Sequence, residues 1–303
     1  MNKPVVIMVV SMLASLVPSG MRGEAVAAEN PQMLSLHVRA QTKTTDAAGR
    51  PAFTTAERDV AWDPRKTAVI ICDMWDDHWC KGAAARVVEM APVMEKAVAA
   101  ARARGVLVVH APSTCVSFYE GTPARTRPQQ QPHATPRVSL ATSERWGTAW
   151  CWPETSREPG LPIDDTDMGC DCRETCEIKP PWTRQIATLT IDQDRDAILD
   201  NGQELVNLFA ARGIEHVMIM GVHLNMCVLG RPFGIRQLTR LGYDVVLVRD
   251  LTDTMYNSRM RPRVDHFTGT DLVVDHVEKY WCPTITSVDL VGGKPFRFAA
   301  DPR

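Results

Sequence analysis

The segment "GVHLNMCVLGRPFG" (221–234) contains a cysteine placed where covalent chemistry is feasible. Cys227 follows an apolar run that predicts a buried strand and precedes a run that predicts a helix. The unpaired N–H groups of a helix's first turn stabilise a thiolate, which lowers the thiol pKa and favours nucleophilic attack. The same groups can bind an oxyanion forming on an attacked carbonyl. Two other interpretations remain open at this point, a buried small hydrophobe and half of a disulfide.

A carboxylate is expected close to this cysteine. Asp73 ends the continuous apolar run "TAVIICD" (67–73), which is typical of a central parallel strand buried on both faces. The carboxyl ends of parallel strands meet at one edge of the sheet, where ligands bind, and His110 and Asp250 end two further strands. Asp73 could take the thiol proton and pass it to a leaving group. The alternative is that Asp73 only caps the following helix.

The elements that must position these residues alternate along the chain. Strands are predicted at 67–73, 106–112, 186–191, 216–222, 244–250 and 284–287, and helices at 85–105, 200–213, 228–242 and 270–281. Such alternation predicts an α/β protein, a Rossmann-like three-layer α/β/α sandwich around a mostly parallel sheet of about six strands.

The N-terminal sequence is typical of a secretory signal peptide over residues 1–28. A lysine at position 3 precedes an apolar run, and small residues around Ala27 and Ala28 fit a cleavage site. The run is short for a membrane span, although an uncleaved anchor is the alternative. We therefore expect a secreted or periplasmic protein with a β extension at 29–61. A main domain at 62–303 would carry a loop insertion at about 113–184.

The composition is that of an ordinary globular protein. The 303 residues are 45% hydrophobic and 23% charged, with a formal net charge of −2. This balance argues against nucleic acid or an anionic membrane as a partner. No segment after the signal peptide is expected to span a membrane.

The chain has nine cysteines, and export would allow them to form disulfides. An oxidising compartment permits disulfides, and an odd number leaves at least one thiol unpaired within a monomer. The polar loop "DDTDMGCDCRETC" holds three that are the best candidates for bridges, and their spacing is not a standard zinc pattern: Cys170, Cys172 and Cys176. Its carboxylates, within 164–171, could hold a hard cation. The alternative is a solvated acidic loop stapled by a disulfide.

Two stretches together resemble the isochorismatase-like cysteine hydrolases, which include nicotinamidases, carbamoylsarcosine amidases and isochorismatase. They are "VIICDMWDDHW" and "LVNLFAARGIEHVMIMGVHLNMCVLGRPFGIRQLTRLGYDVVLVRD", within a resemblance covering roughly 66–290. The resemblance implies the three-layer fold and an Asp–Lys–Cys triad in which the cysteine is acylated and water releases the acid. Asp73 matches the base and Cys227 the nucleophile. A cis Val222–His223 peptide and an oxyanion hole from the N–H groups of Met226 and Cys227 are also implied.

The sequence departs from this family at three places. No lysine follows "IATLTI", so Lys179 in "EIKPPW" is assigned as the third catalytic residue, with Arg184 and Arg195 as other nearby cations. No Asp-x-His pair follows the second strand, so neither a metal nor another cofactor is expected. Arg231 follows Cys227 closely and either selects an anionic substrate or forms a salt bridge on the helix surface.

These residues together predict an exported cysteine hydrolase acting on a small amide, imide or carbamoyl-type compound. A vinyl-ether hydrolase like isochorismatase and a catalytically silent binding domain are the alternatives. The family resemblance also suggests a homo-oligomer. The residues assigned to substrate binding are His223, Asn225, Met226, Trp75, His78, His110, Arg231 and Tyr256.

Overall fold

The computed structural model describes Met1 and residues 32–174 and 176–303. Apart from Met1, the predicted signal peptide lies outside the described residues. The strands of the main sheet are β1 (Leu34–Thr45), β2 (Pro51–Trp62), β3 (Thr67–Cys72), β4 (Leu107–Ala111), β7 (Ala197–Ile198), β8 (His216–Val222), β9 (Asp244–Asp253) and β10 (Thr284–Ile285). A separate small hairpin consists of β5 (Glu144–Arg145) and β6 (Thr148–Ala149).

The described strands of the main sheet follow the order β2-β1-β10-β9-β8-β3-β4-β7. The six from β10 to β7 run parallel, whereas β1 and β2 form an antiparallel hairpin added at the β10 edge. The predicted α/β class and mostly parallel sheet are confirmed, and the described sheet has eight strands where about six were predicted. The strand order places β3, and with it Asp73, between β8 and β4.

Hydrophobic burial on both faces of the sheet fixes the three layers. In β3, Ile70 faces one core and Ile71 the other, because successive strand residues point to opposite faces. Every residue of this strand is buried. A continuous apolar run is therefore what this central position requires.

Helices cover the two faces. They are α1 (Lys81–Ala103), α2 (Pro123–Gln129), α3 (Gly202–Arg212), α4 (Ile235–Arg240), α5 (His266–Tyr280) and α6 (Val288–Val291). Apolar residues of α1 and α6 belong to one core, and those of α3, α4 and most of α5 to the other. None of the helices in the described part of the chain combines the length and hydrophobicity needed to cross a bilayer.

The predicted third strand at 186–191 is wrong. The N–H of Ile186 donates to the carbonyl oxygen of Met74, and the N–H of Leu189 donates back to Ile186, which makes this segment a turn. The strand at this edge is the two-residue β7, beside β4. Two residues are too few to show a periodicity, whereas the apolar residues of the loop at 186–191 gave a strand-like pattern.

The predicted helix at 228–242 is interrupted. A single π-helical turn at Leu224–Val228 is followed by a bend at 231–234, and α4 begins only at Ile235. Pro232 lacks the N–H that a continuous helix needs, and a residue before proline is disfavoured in helical geometry. The chain therefore bends four residues after Cys227.

Candidate active site

Cys227 lies in the π-helical turn that follows β8 and is 4% exposed. The turn is too short to give the stabilisation expected from an extended helix. Burial instead raises the thiol pKa to about 12, and Asp73 opposes ionisation while Arg231 favours it. The expectation of a lowered thiol pKa is therefore wrong for the free protein, and the thiol needs a base in order to react.

The chain leading to Cys227 adopts a conformation that requires glycine. Gly221 has φ +109°, and a Cβ there would lie 2.1 Å from the carbonyl oxygen of Cys72. The close approach of β8 to β3 therefore depends on this residue. The next peptide, Val222–His223, is cis, as the family resemblance implies. The N–H of Met226 donates to the carbonyl oxygen of His223, so it is already used within the turn.

Asp73 follows β3 and is fully buried beside Cys227. Its N–H donates to the carbonyl oxygen of Ala111, and its Oδ1 accepts the N–H of Ser113 at 2.7 Å. Its Oδ2 has no hydrogen-bond partner among the described residues. Burial raises the pKa of Asp73, against the opposing effect of Arg231. This carboxylate has one oxygen anchored and one free to accept a proton.

Arg231 supplies the cation of the site. Its Nε lies 3.5 Å from Oδ2 of Asp73, and its side chain is 2% exposed. Nη1 donates to the carbonyl oxygen of Trp146 and to Oγ1 of Thr148, which anchors the guanidinium on the small hairpin. The backbone N–H of Arg231 donates to the carbonyl oxygen of Cys227 at 2.9 Å. The nucleophile candidate and its cation are thus four residues apart in one turn.

A cavity of about 440 Å³ opens onto Cys227 and Arg231. Its walls are mostly aromatic and apolar. Trp75 stacks on Trp182 with ring centroids 4.2 Å apart, and His78 also stacks on Trp182. His223 meets His78 edge to face, and its buried Nε2 has no partner among the described residues. The full set of lining residues is Trp75, His78, Trp79, Thr114, Trp146, Gly147, Met168, Ile178, Pro180, Trp182, His223, Met226, Cys227, Arg231 and Met255.

The histidines of the cavity are held neutral. Burial lowers the pKa of His78 to about 4 and that of His223 well below its ordinary value. Nδ1 of His78 accepts the N–H of Cys80, whereas Nε2 of His223 is free. His223 therefore lines the cavity with a neutral ring whose Nε2 is buried.

Lys179 does not complete a triad in this structure. Its side chain is exposed, and although the neighbouring Ile178 and Pro180 line the cavity, Lys179 is not among the lining residues. The position after β7 is occupied by Asp200, whose Oδ2 accepts the N–H of Thr114. Arg231 is the basic side chain that pairs with Asp73.

Three residues assigned to substrate binding have structural contacts instead. His110 is buried between Gln185 and Asp196, with ring nitrogens 2.9 and 3.1 Å from their oxygens. The Asn225 amide bonds the backbone of Met255, which braces the Cys227 turn. The hydroxyl of Tyr256 donates to the carbonyl oxygen of Met260 within its own loop.

The carboxylates at the strand end and in the acidic loop also accept hydrogen bonds from neighbouring protein groups. Asp250 accepts the N–H and hydroxyl of Ser287, and β9 continues past it to Asp253. The acidic loop that could have held a cation uses its carboxylates as acceptors for neighbouring groups: Asp164 for Thr166, Asp165 for Asn225, Asp167 for Asn257 and Asp171 for Ser258.

We expect the contact between His110 and Asp196 to make the free energy of unfolding depend on pH in the acid range. Burial alone would raise the pKa of Asp196, but His110 and Arg102 outweigh it and lower the pKa from 3.8 to about 2. Stabilisation is therefore present above pH 3.8 and is lost as the pH falls towards about 2. Asp196→Asn should cost roughly 2 kcal/mol in the free energy of unfolding at neutral pH and should flatten this acid dependence.

Urea unfolding at several pH values measures this dependence. Asp194→Asn is the matched control, since the Asp194 side chain is exposed two residues away. Equal acid slopes in wild type and Asp196→Asn would show that the pair does not control acid stability.

Several cavity residues were not assigned from the sequence. Trp146, Met168 and Trp182 come from the insertion, and Met255 follows β9. The only available signal was the richness of this insertion in tryptophan and proline, which gives no register relative to Cys227. Long loops frequently carry binding residues, so the insertion itself was the clue.

One part of the chain matches a known protein family. The isochorismatase domain model matches residues 176–268. The resemblance to the isochorismatase family is thus confirmed. The isochorismatase match includes Cys227 and Arg231, whereas Asp73 precedes it.

Solved structures with similar folds have low sequence identity to this chain. A cysteine hydrolase from Pseudomonas syringae pv. phaseolicola 1448A is 17% identical with a TM-score of 0.45, over 76% of this chain and 93% of that one. An isochorismatase family protein from Desulfovibrio vulgaris subsp. vulgaris str. Hildenborough is 18% identical with a TM-score of 0.41, over 75% and 96%. No curated protein matches the chain.

Proposed function

We propose that this protein is a cysteine hydrolase that cleaves a small amide, imide or carbamoyl-type compound, with Cys227 as nucleophile and Asp73 as general base. The observation that carries this proposal is the buried cluster of Cys227, Asp73 and Arg231 at the floor of a cavity. The hydrolase class agrees with the isochorismatase match. Arg231 takes the place of the family lysine in this proposal.

The proposed steps follow from which groups of the site can give up or accept a proton. The Cys227 thiol transfers its proton to Oδ2 of Asp73 as Sγ attacks the substrate carbonyl carbon. The protonated Asp73 then gives that proton to the leaving nitrogen, the C–N bond breaks, and a thioester remains on Cys227. Asp73 next removes a proton from water as the water oxygen attacks the thioester carbon. The C–S bond then breaks, the acid is released, and Asp73 returns the proton to Sγ of Cys227.

Arg231 contributes charge and position to these steps. An arginine remains protonated and cannot exchange protons easily, so its role is electrostatic. It lies beside both groups that change charge, and it favours the thiolate while Asp73 disfavours it. Because its charge is already paired with Asp73, Arg231 supports catalysis better than it supports selection of an anionic substrate.

The cavity favours a small, flat substrate. Stacked Trp75 and Trp182 offer a planar apolar wall, and the neutral ring of His223 also lines the cavity. A volume of about 440 Å³ suits a compact molecule rather than a polymer. Aromatic and cyclic amides are therefore the first compounds to assay.

Intact-mass spectrometry during turnover tests the proposal. We expect wild-type protein, quenched in acid after mixing with a panel of aromatic and cyclic amides, to gain the mass of one acyl group on the peptide containing Cys227. Cys282→Ala should form the same adduct, because Cys282 is a buried thiol outside the cavity lining. Amide hydrolysis without an adduct, insensitive to thiol electrophiles, would contradict Cys227 as the nucleophile. Turnover of a vinyl ether but of no amide would favour the vinyl-ether type of hydrolysis, and turnover of neither would favour a silent binding domain.

We also propose that the protein acts outside the cytoplasm, on the strength of the N-terminal sequence alone. Fractionation of cells producing the full chain, with N-terminal sequencing of the mature form, tests this. A protein that keeps Met1 and stays in the cytoplasm would contradict export.

A further inference from the structure

Four cysteine thiols gather at the start of α1, apart from the proposed catalytic cluster. Cys80 immediately precedes α1, and Cys170, Cys172 and Cys176 come from the insertion. The sulfur atoms of Cys80, Cys170 and Cys172 all lie within 4.8 Å of one another. The thiol of Cys176 interacts with those of both Cys170 and Cys172. Segments far apart in sequence thus bring four soft ligands together.

The spacing fits a tetrahedral metal better than a disulfide. Zinc–sulfur bonds of about 2.3 Å in a tetrahedron place neighbouring sulfurs about 3.8 Å apart. The Sγ atoms of Cys80 and Cys172 are 3.7 Å apart. All four cysteines are unbridged in the structure. No large rearrangement is therefore needed between Cys80 and Cys172 for both to reach one ion.

Hydrogen-bond donors and positive charge lie beside the cluster. The N–H of Gly82, in the first turn of α1, donates to Sγ of Cys172 at 3.2 Å. The N-terminus of a 23-residue helix adds a positive potential. The guanidinium of Arg259 donates to the carbonyl oxygens of Cys170 and Cys172, so a positive charge also lies beside the cluster.

We propose that Cys80, Cys170, Cys172 and Cys176 bind one Zn²⁺ ion. Thiolates are soft ligands that select zinc among the abundant divalent cations, and four sulfur ligands leave no open position for a reacting water. The site is therefore structural. It escapes a search for spacing patterns because only three ligands are close in sequence, and the fourth, Cys80, precedes α1 and lies outside the insertion.

The zinc ion would hold together two segments that line the cavity. Residues 75–80 carry Trp75 and His78, and the insertion carries Met168 and Trp182. A shared metal fixes the insertion against α1 and thereby fixes the walls of the substrate cavity. This role is independent of whether Cys227 is a nucleophile.

Metal analysis of the purified full chain tests the proposal. We expect about one zinc ion per chain by plasma mass spectrometry after purification with and without reductant. Cys172→Ser should hold less than about a tenth of this amount, since a structural site seldom survives the loss of a thiolate. Cys282→Ser, which removes another buried thiol, should keep all of its zinc.

A second measurement does not depend on the folding of a variant. Zinc in wild-type protein is exchanged for Co²⁺, and thiolate-to-cobalt charge-transfer absorption is recorded in wild type and in Cys282→Ser. Strong absorption in both supports four-thiolate ligation. Wild-type protein without zinc, iron in its place, disulfides among the four cysteines by non-reducing peptide mapping, or equal zinc loss in both serine variants would each overturn the proposal.

Discussion

Replacing Cys227 by alanine should reduce kcat of the proposed hydrolysis by about 10³-fold or more, because no other group can form the acyl intermediate. The thiol is buried at the cavity floor beside Asp73 and Arg231, so its removal leaves the substrate cavity open but without a nucleophile. KM should change little, since the stacked Trp75 and Trp182 remain. Steady-state kinetics on the amide found to acylate the wild type measures both values.

The matched control is Cys282→Ala. Cys282 is also buried, and burial raises its thiol pKa, yet it is absent from the cavity lining. Both variants remove one sulfur atom from a buried position, so similar small losses of stability are expected. If Cys227→Ala keeps a tenth of the wild-type kcat, or if Cys282→Ala loses as much, Cys227 is not the nucleophile.

Replacing Arg231 by methionine should be costly in two ways. The Asp73 carboxylate would lose the paired cation beside it and remain fully buried, which should destabilise the protein by about 3–5 kcal/mol. The small hairpin at Trp146 and Thr148 would lose its anchor. Activity should fall by about 10²-fold or more, because no positive charge would oppose the charge that develops during attack. Chemical denaturation and kinetics measure the two effects separately.

Two further variants separate the effect of Arg231 on stability from its effect on activity. Arg231→Lys keeps the charge and should retain more activity than the methionine variant, although it loses the planar fork. Asp73→Asn combined with Arg231→Met removes both buried charges and should regain much of the lost stability without regaining activity. Recovery of activity in the double variant would contradict both the role of Asp73 as general base and the electrostatic role of Arg231. A stable, fully active Arg231→Met would exclude the cation from both roles.

Strongly patterned segments were predictable from sequence. The apolar run of β3 is buried on both faces, and Asn201 and Gly213 delimit α3 as cap residues do. The sheet edge was harder, because β7 has two residues and leaves no periodicity to detect. The sheet's antiparallel hairpin pairs through β1 and β10 at Arg39 and Thr284, a register that no local pattern encodes.

For the site, Cys227 and Asp73 could be found because each ends or follows a recognisable strand. Arg231 was assigned to the substrate or the surface, since its partner Asp73 is remote in sequence and only the sheet brings the two together. The prediction of a lowered thiol pKa for Cys227 is wrong for a related reason. Local sequence suggested a helix terminus, whereas burial, which depends on the whole fold, dominates the pKa of Cys227.

In the proposed mechanism, arginine as the cation leaves the site with a single proton to move. A lysine triad has three members that can each gain or lose a proton, whereas the guanidinium of Arg231 remains charged and the exchange is confined to Sγ of Cys227 and Oδ2 of Asp73. In such a site one proton passes between two groups while a permanent positive charge stays beside them. Its working pH range is then set by how deeply one thiol and one carboxylate are buried, and loops that cover the cavity can tune it without touching either residue.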